Sequence, residues 1–233
     1  MPETPRPSVC FDLDGTLVDT APDLAAAMNA VLDHFGRPHV ETDRVRDMVG
    51  HGARRTIEKG LALTGGGSER MLDEGVPVFL DHYARNICVG SRPWPGVEAA
   101  LDALAEDALL SVCTNKPAAL ARDLIQALGW APRFAAILGA DSLDVKKPDP
   151  RHLTETIVGA GGDPRRAVYV GDSSVDSRAA AAARIPFILF RPGYLDCPAE
   201  ELETAAVIDR FDELRPALHV AAPSIWSTSG APT

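Results

Sequence analysis

The sequence predicts an α/β fold: a parallel sheet flanked by helices, interrupted by an all-helical insert. Two patterns carry that reading. Short apolar runs recur along the chain, each ending in polar or turn-forming residues, with helical spacing between them. The alternation breaks once, over residues 19–92, where helix patterns follow one another without a convincing strand.

The first run, Val9-Cys10-Phe11, ends in Asp12-Leu13-Asp14-Gly15-Thr16. In the insert, Leu24, Met28, Val31, Leu32 and Phe35 share one helix face. Val45, Met48 and Val49, then Ile57 and Leu61, fit further helices. Gly65-Gly66-Gly67 is a loop, and Arg92-Pro93-Trp94-Pro95-Gly96 is a stiff return to the sheet. Leu109-Leu110-Ser111-Val112-Cys113 is the next strand and runs into Thr114-Asn115. Leu120, Leu124 and Leu128 then mark a helix, with Pro117 suited to its first turn and Gly129 to its stop. Ala135-Ala136-Ile137-Leu138, Ala167-Val168-Tyr169-Val170 and Phe187-Ile188-Leu189-Phe190 are further strands, and Ala205-Ala206-Val207-Ile208 is a candidate sixth. Residues 176–184 are alanine-rich and helical. The expected division is a core of residues 1–18 and 93–220, an insert of residues 19–92, and a disordered tail of residues 221–233.

Composition limits the function classes. A chain of 233 residues with 45% apolar content can bury a sizeable core. A net charge of -10 repels a phosphate backbone, so nucleic acid is not an expected partner. An anionic substrate would need a local positive site. No apolar run is long enough to span a bilayer, so no membrane role is expected. The segment before Val9 is polar and proline-rich, unlike a signal peptide. Cys10, Cys88, Cys113 and Cys197 form no CxxC pair and read as free thiols. Together these features predict a cytoplasmic protein.

The chemistry-bearing residues all follow strands, where open parallel sheets bind ligands. Asp12 and Asp14 follow the first. Thr114 and Asn115 follow another, and Asp172, Ser173 and Asp176 a third. Lys146-Lys147-Pro148 lies in a loop feeding the same rim. Converging carboxylates repel unless a cation offsets them, and Mg²⁺ suits an all-oxygen set that lacks histidine and cysteine. Asp12 is then the expected nucleophile toward a phosphoryl group, and Asp14 the proton donor and acceptor. Thr114 and Lys147 would hold the phosphoryl oxygens. Any one of these motifs alone could be a turn or a helix cap. Their shared order and placement at strand ends give them weight.

FDLDGTL, CTN, KKPDP and GDSSVD together resemble the four ordered motifs of the haloacid dehalogenase-like superfamily. The resemblance implies a Rossmann-like core with a small helical cap. It implies Asp12 as nucleophile, Asp14 as acid and base, and Thr114 and Lys147 as phosphate ligands. Lys147 is preferred to Lys146 because it directly precedes the proline. The implied Mg²⁺ ligands are Asp12, the Asp14 main-chain carbonyl and Asp172, supported by Ser173 and Asp176. Dehalogenating members lack an acid at the position of Asp14, so its presence argues for phosphoryl transfer.

Ala21-Pro22-Asp23-Leu24 and Val49-Gly50-His51-Gly52-Ala53 are similar to the phosphoglycolate phosphatase branch. That branch implies a small phosphorylated metabolite as substrate and a monomer or homodimer. Substrate choice must then come from the cap, because the core motifs grip only phosphate and metal. Gly50-His51-Gly52 would open a helix whose free N–H groups attract anions. Arg54, ahead of Arg55 and His51, is the expected contact for a substrate carboxylate, with Asn115 and Thr114 on the core side. Another small phosphate ester as substrate, a phosphomutase, and a non-catalytic binding protein are the competing readings. Release of free phosphate separates the first from the second.

Overall fold

The computed structural model describes residues 6–226. In chain order the elements are β1 (Ser8–Phe11), β2 (Val18–Asp19), α1 (Ala21–His34), α2 (Thr42–Arg46), α3 (Ala53–Leu63), α4 (Glu69–Arg85) and β3 (Arg92–Pro93). They continue with α5 (Val97–Ala105), β4 (Leu109–Cys113), α6 (Ala118–Ala127), β5 (Ala136–Leu138), α7 (Pro150–Gly159) and β6 (Ala167–Gly171). The last are α8 (Ser174–Ala183), β7 (Phe187–Phe190), β8 (Ala206–Ile208), α9 (Leu214–Ala221) and α10 (Pro223–Trp226).

Six strands form one sheet in the order β5-β4-β1-β6-β7-β8, and every pairing in it is parallel. Apolar side chains cover both faces, which is why these strands read as unbroken apolar runs. Val9, Phe11, Val168 and Val170 pack on one side, while Cys10 and Tyr169 pack on the other. The four cysteines are free thiols, with Cys10 and Cys113 buried. Among the described residues no helix is long and apolar enough to cross a membrane.

α1 to α4 form the helical insert around a separate apolar cluster that includes Met28, Val31, Ile57, Leu61 and Phe79. Gly60 of α3 explains one close approach. A Cβ there would sit 2.5 Å from the Met28 sulfur on α1. The insert is held at its base by two features without sequence periodicity. β2 and β3 pair antiparallel over two residues, Val18 with Pro93 and Asp19 with Arg92. Asp23, buried at the start of α1, accepts hydrogen bonds from Gly90 N (2.7 Å), Ser91 N (2.8 Å) and Ser91 Oγ (2.6 Å). A two-residue ribbon is too short to leave an alternating pattern, so residues 19–92 read as strand-free.

Two boundaries differ from expectation. Pro117 precedes α6 rather than lying in its first turn; its ψ of 136° is extended. Residues 221–226 are ordered, although the tail was expected to be disordered from residue 221. α9 ends at Ala221, α10 follows, and Trp226 is only 6% exposed in the core cluster beneath the sheet. The indole supplies enough apolar area to hold a four-residue helix that composition alone would not support. Residues 227–233 lie outside the described residues. Removing the chain from Pro223 onward is expected to cost roughly 2 kcal/mol or more, the scale of a lost buried aromatic. Urea denaturation of the truncated protein checks this; an unchanged midpoint would leave Trp226 without a structural role.

Candidate active site

The strand order places β1 at the centre, with β4 on one side and β6 on the other. The chain therefore winds both ways from β1, and the three strand ends leave a crevice at that switch point. Phe11 is level with Val112 and with Val170, so the residues just after β1, β4 and β6 emerge together. Asp12, Thr114 and Asp172 sit at these ends. Lys147 enters from the loop before α7.

Asp12 is buried, and its Oδ1 lies 2.9 Å from Lys147 Nζ. The pair is a close ion contact without hydrogen-bond alignment, so Asp12 Oδ1 is buried with no hydrogen bond among the described residues. Lys147, 1% exposed at its side chain, also donates to Asp176 Oδ1 (2.7 Å) and Tyr169 OH (2.8 Å). The other oxygen of Asp176 accepts from Ser173 Oγ at 2.5 Å and Ser173 N at 3.1 Å, closing a capping box at the start of α8. Asp172 Oδ1 accepts from Thr16 Oγ1 at 2.6 Å, and its Oδ2 accepts from Tyr194 N at 2.6 Å. Gly15 is required beside it: φ is +85°, and a Cβ would fall 2.3 Å from Asp172 Oδ2.

These groups shift one another. Burial pushes the Asp12 carboxyl up to about 7, Lys147 opposes that rise, and Asp176 adds to it. Burial also pushes Asp172 well up, with repulsion from Asp176 and Asp12 adding to it. Burial alone would lower Lys147, but Asp12 and Asp176 hold its ammonium charged. Lys147 thus pairs with two of the three buried carboxylates. One oxygen each of Asp12, Asp172 and Asp176 lie within 4.8 Å of one another. A hard divalent cation fits this all-oxygen cluster, and the unbonded Asp12 Oδ1 has lone pairs to offer it. Asp176, already bonded at both oxygens, is better placed to support the site than to ligate.

Above the cluster lies a cavity of about 40 Å³ between sheet and insert. Asp12, Asp14, Thr114, Asn115 and Lys116 line its sheet side. Leu24, Val49, Ala53, Phe79, Leu80 and Tyr83 line much of the other. Gly50 and Gly52 also line it, just before the start of α3. Asn115 Nδ2 donates to Gly50 O and to Lys147 O, both at 3.1 Å, which ties insert to sheet. Thr114 Oγ1 accepts from Lys116 N at 3.2 Å.

The two expected cap contacts lie elsewhere. Arg54 is 50% exposed at its side chain and pairs with Glu69 and with Asp73 (2.7 Å) on neighbouring α4. His51 pairs with Asp196 at 3.4 Å on the seam between insert and core. Burial alone would raise Asp196, but bonds from His51 and Ser174 hold it well below the usual carboxylate range. Helix periodicity explains the miss. Ala53 and Thr56 take the inward face of α3, which turns the intervening Arg54 and Arg55 outward. Sequence reasoning also passed over Lys116, Thr16, Tyr83 and Tyr194. Lys116 adjoins the Thr114-Asn115 pair, so a signal existed, but a single lysine ordinarily reads as surface. Tyr83 and Tyr194 have no local signal, because they arrive from distant elements.

Residues 9–190 match the family model described as haloacid dehalogenase-like hydrolase. The chain belongs to that family. A relative from Mesorhizobium japonicum named phosphoglycolate phosphatase is 46% identical over 215 residues, covering 90% of this chain and 93% of that protein. One of the same name from Agrobacterium fabrum is 44% identical, covering 91% and 92%. A crystal structure of a Haemophilus somnus protein, described as a predicted phosphoglycolate phosphatase, superposes with a TM-score of 0.83. It is 29% identical and covers 91% of this chain and 97% of its own. The haloacid dehalogenase-like core with its helical cap is therefore the fold of this hydrolase.

Two outcomes are expected. Arg54→Ala should leave kcat/KM within about twofold, the usual reach of an exposed ion pair; a tenfold loss in steady-state assays would return Arg54 to the site. The second concerns pH. The folded protein holds the Asp12 proton more tightly than the unfolded chain does. The resulting stability is full below the unfolded carboxylate value, about 4, and is lost as pH rises through about 7. Chelated protein should melt higher at pH 5 than at pH 8, and added Mg²⁺ should raise Tm more at pH 8. A chelated Tm that climbs steadily over that range would contradict the carboxylate assignment.

Proposed function

We propose that the enzyme hydrolyses 2-phosphoglycolate to glycolate and inorganic phosphate, by a Mg²⁺-dependent route through an aspartyl-phosphate on Asp12. The observation that carries the reading is the unbonded, buried Asp12 Oδ1 at the floor of a small cavity, with Lys147 beside it. The names and high coverage of the relatives support the substrate.

In this reading one oxygen of the Asp12 carboxylate attacks phosphorus while the other is left for the cation, and the bond from phosphorus to the ester oxygen breaks. Asp14 gives its proton to the leaving glycolate oxygen. Asp14 then takes a proton from the water that attacks the aspartyl-phosphate, which frees phosphate and restores Asp12. Thr114 and Lys147 hold phosphoryl oxygens and balance their charge. Asp12, the Asp14 main-chain carbonyl and Asp172 would hold Mg²⁺, which when bound offsets the repulsion between carboxylate and phosphoryl group. Residues 19–92 act as one cap, moving about the β2–β3 ribbon to admit substrate and exclude water. The separate apolar cluster of the helices supports that division.

Asp12→Asn should lower turnover about a thousandfold or more, because an amide is no nucleophile. Wild-type protein should release phosphate from 2-phosphoglycolate with Mg²⁺ and fall silent in excess chelator. A variant keeping a tenth of wild-type turnover, free of host phosphatase, would end the covalent assignment. Phosphoryl return to the organic product without free phosphate would favour a mutase.

A further inference from the structure

Lys116 is an unusual lysine. Its side chain is only 3% exposed. Its Nζ donates to both oxygens of Asp14, at 2.8 and 3.1 Å, and to Tyr83 OH on the cap at 2.8 Å. The ammonium also sits 4.2 Å from the centre of the Tyr83 ring. Among the described residues lining the cavity it is the only cation. Lys147, the other buried ammonium, pairs with Asp12 and Asp176 and is not among the residues lining the cavity.

We propose that Lys116 is the residue that recognises the carboxylate of the substrate. This rests on the phosphoglycolate reading above. In that ester a single carbon separates the carboxylate from the oxygen that Asp14 protonates. A group bonded to Asp14 on the cavity side therefore lies one short step from that carboxylate. An ammonium has three donors in a rotatable head, so it can release Tyr83 OH, take a carboxylate oxygen and keep Asp14. Leu24, Val49, Phe79 and Leu80 surround it with apolar surface, which strengthens a charge-assisted bond by excluding water. The same lining leaves extra hydroxyls without partners, which disfavours sugar phosphates. Selection thus comes from a core residue, with Tyr83 as its partner from the cap.

The test compares 2-phosphoglycolate with 2-hydroxyethyl phosphate, which replaces the carboxylate by a neutral group. Two variants are used. Lys116→Met keeps the stem and drops the charge, and Lys116→Gln keeps polarity for Asp14 and Tyr83. For either variant kcat/KM on 2-phosphoglycolate should fall at least about thirtyfold, mostly through KM, the scale of a lost charge-assisted contact. On 2-hydroxyethyl phosphate the loss should be at least about tenfold smaller, because there the variants remove only the contact with Asp14. Equal losses on both substrates would mean that Lys116 only positions Asp14, and would overturn the inference. A wild-type preference for the carboxylate that survives in both variants overturns it as well. A wild-type enzyme that is active on both substrates and indifferent to the carboxylate overturns the phosphoglycolate reading itself, and this inference with it.

Discussion

Three buried carboxylates held against one buried lysine are the constraint on which the site depends. Asp12, Asp172 and Asp176 crowd within reach of one cation, and Lys147 neutralises only part of their charge. Such a cluster persists only where the surrounding fold over-determines it. The strands beneath are buried on both faces, so their ends cannot shift without disturbing the core. The backbone of Tyr194, the hydroxyl of Thr16 and the capping box at Ser173 fix the remaining carboxylate oxygens. The charge left unbalanced is what makes the site receptive to a divalent cation.

The same arrangement explains why Asp12 and Asp14 differ although they are two residues apart. Asp12 faces the buried cluster, where desolvation and neighbouring carboxylates act on it. Asp14 faces the cavity, where Lys116 holds both of its oxygens. One strand end thus presents one carboxylate to the buried acidic cluster and the other to Lys116. Bonds between insert and sheet sit directly over this divide. Tyr83 reaches Lys116, and Gly50 receives Asn115. Shared hydrogen bonds therefore tie the insert to the polar site.

Much of this was legible in the sequence, for a physical reason. A doubly covered parallel strand must be apolar throughout, and its end must carry a turn, so Val9-Cys10-Phe11 before Asp12 marks both strand and site. The same holds for Leu109 to Cys113 before Thr114, and for Ala167 to Gly171 before Asp172. The core residues, the helical insert and the cation-seeking chemistry all follow from local patterns of this kind. The cap side did not yield so well. Arg54 and His51 stand in a basic stretch that invites an anion, yet helix phase turns Arg54 toward Glu69 and Asp73. The tail looked too polar to order, yet Trp226 found an apolar surface made by residues far away in sequence.

By itself, then, the sequence determined the sheet, its ordered motifs and the carboxylates gathered at its rim, because each is written in contiguous residues whose period and turn chemistry are local. Tertiary structure decided which cation lines the cavity. Lys116 is an ordinary lysine until Asp14, from 102 positions away, and Tyr83, from 33, meet its ammonium at a cavity between sheet and insert. Burial and charge partnership belong to the assembled fold, and they separate a buried ammonium in a cavity from the exposed arginines of the cap.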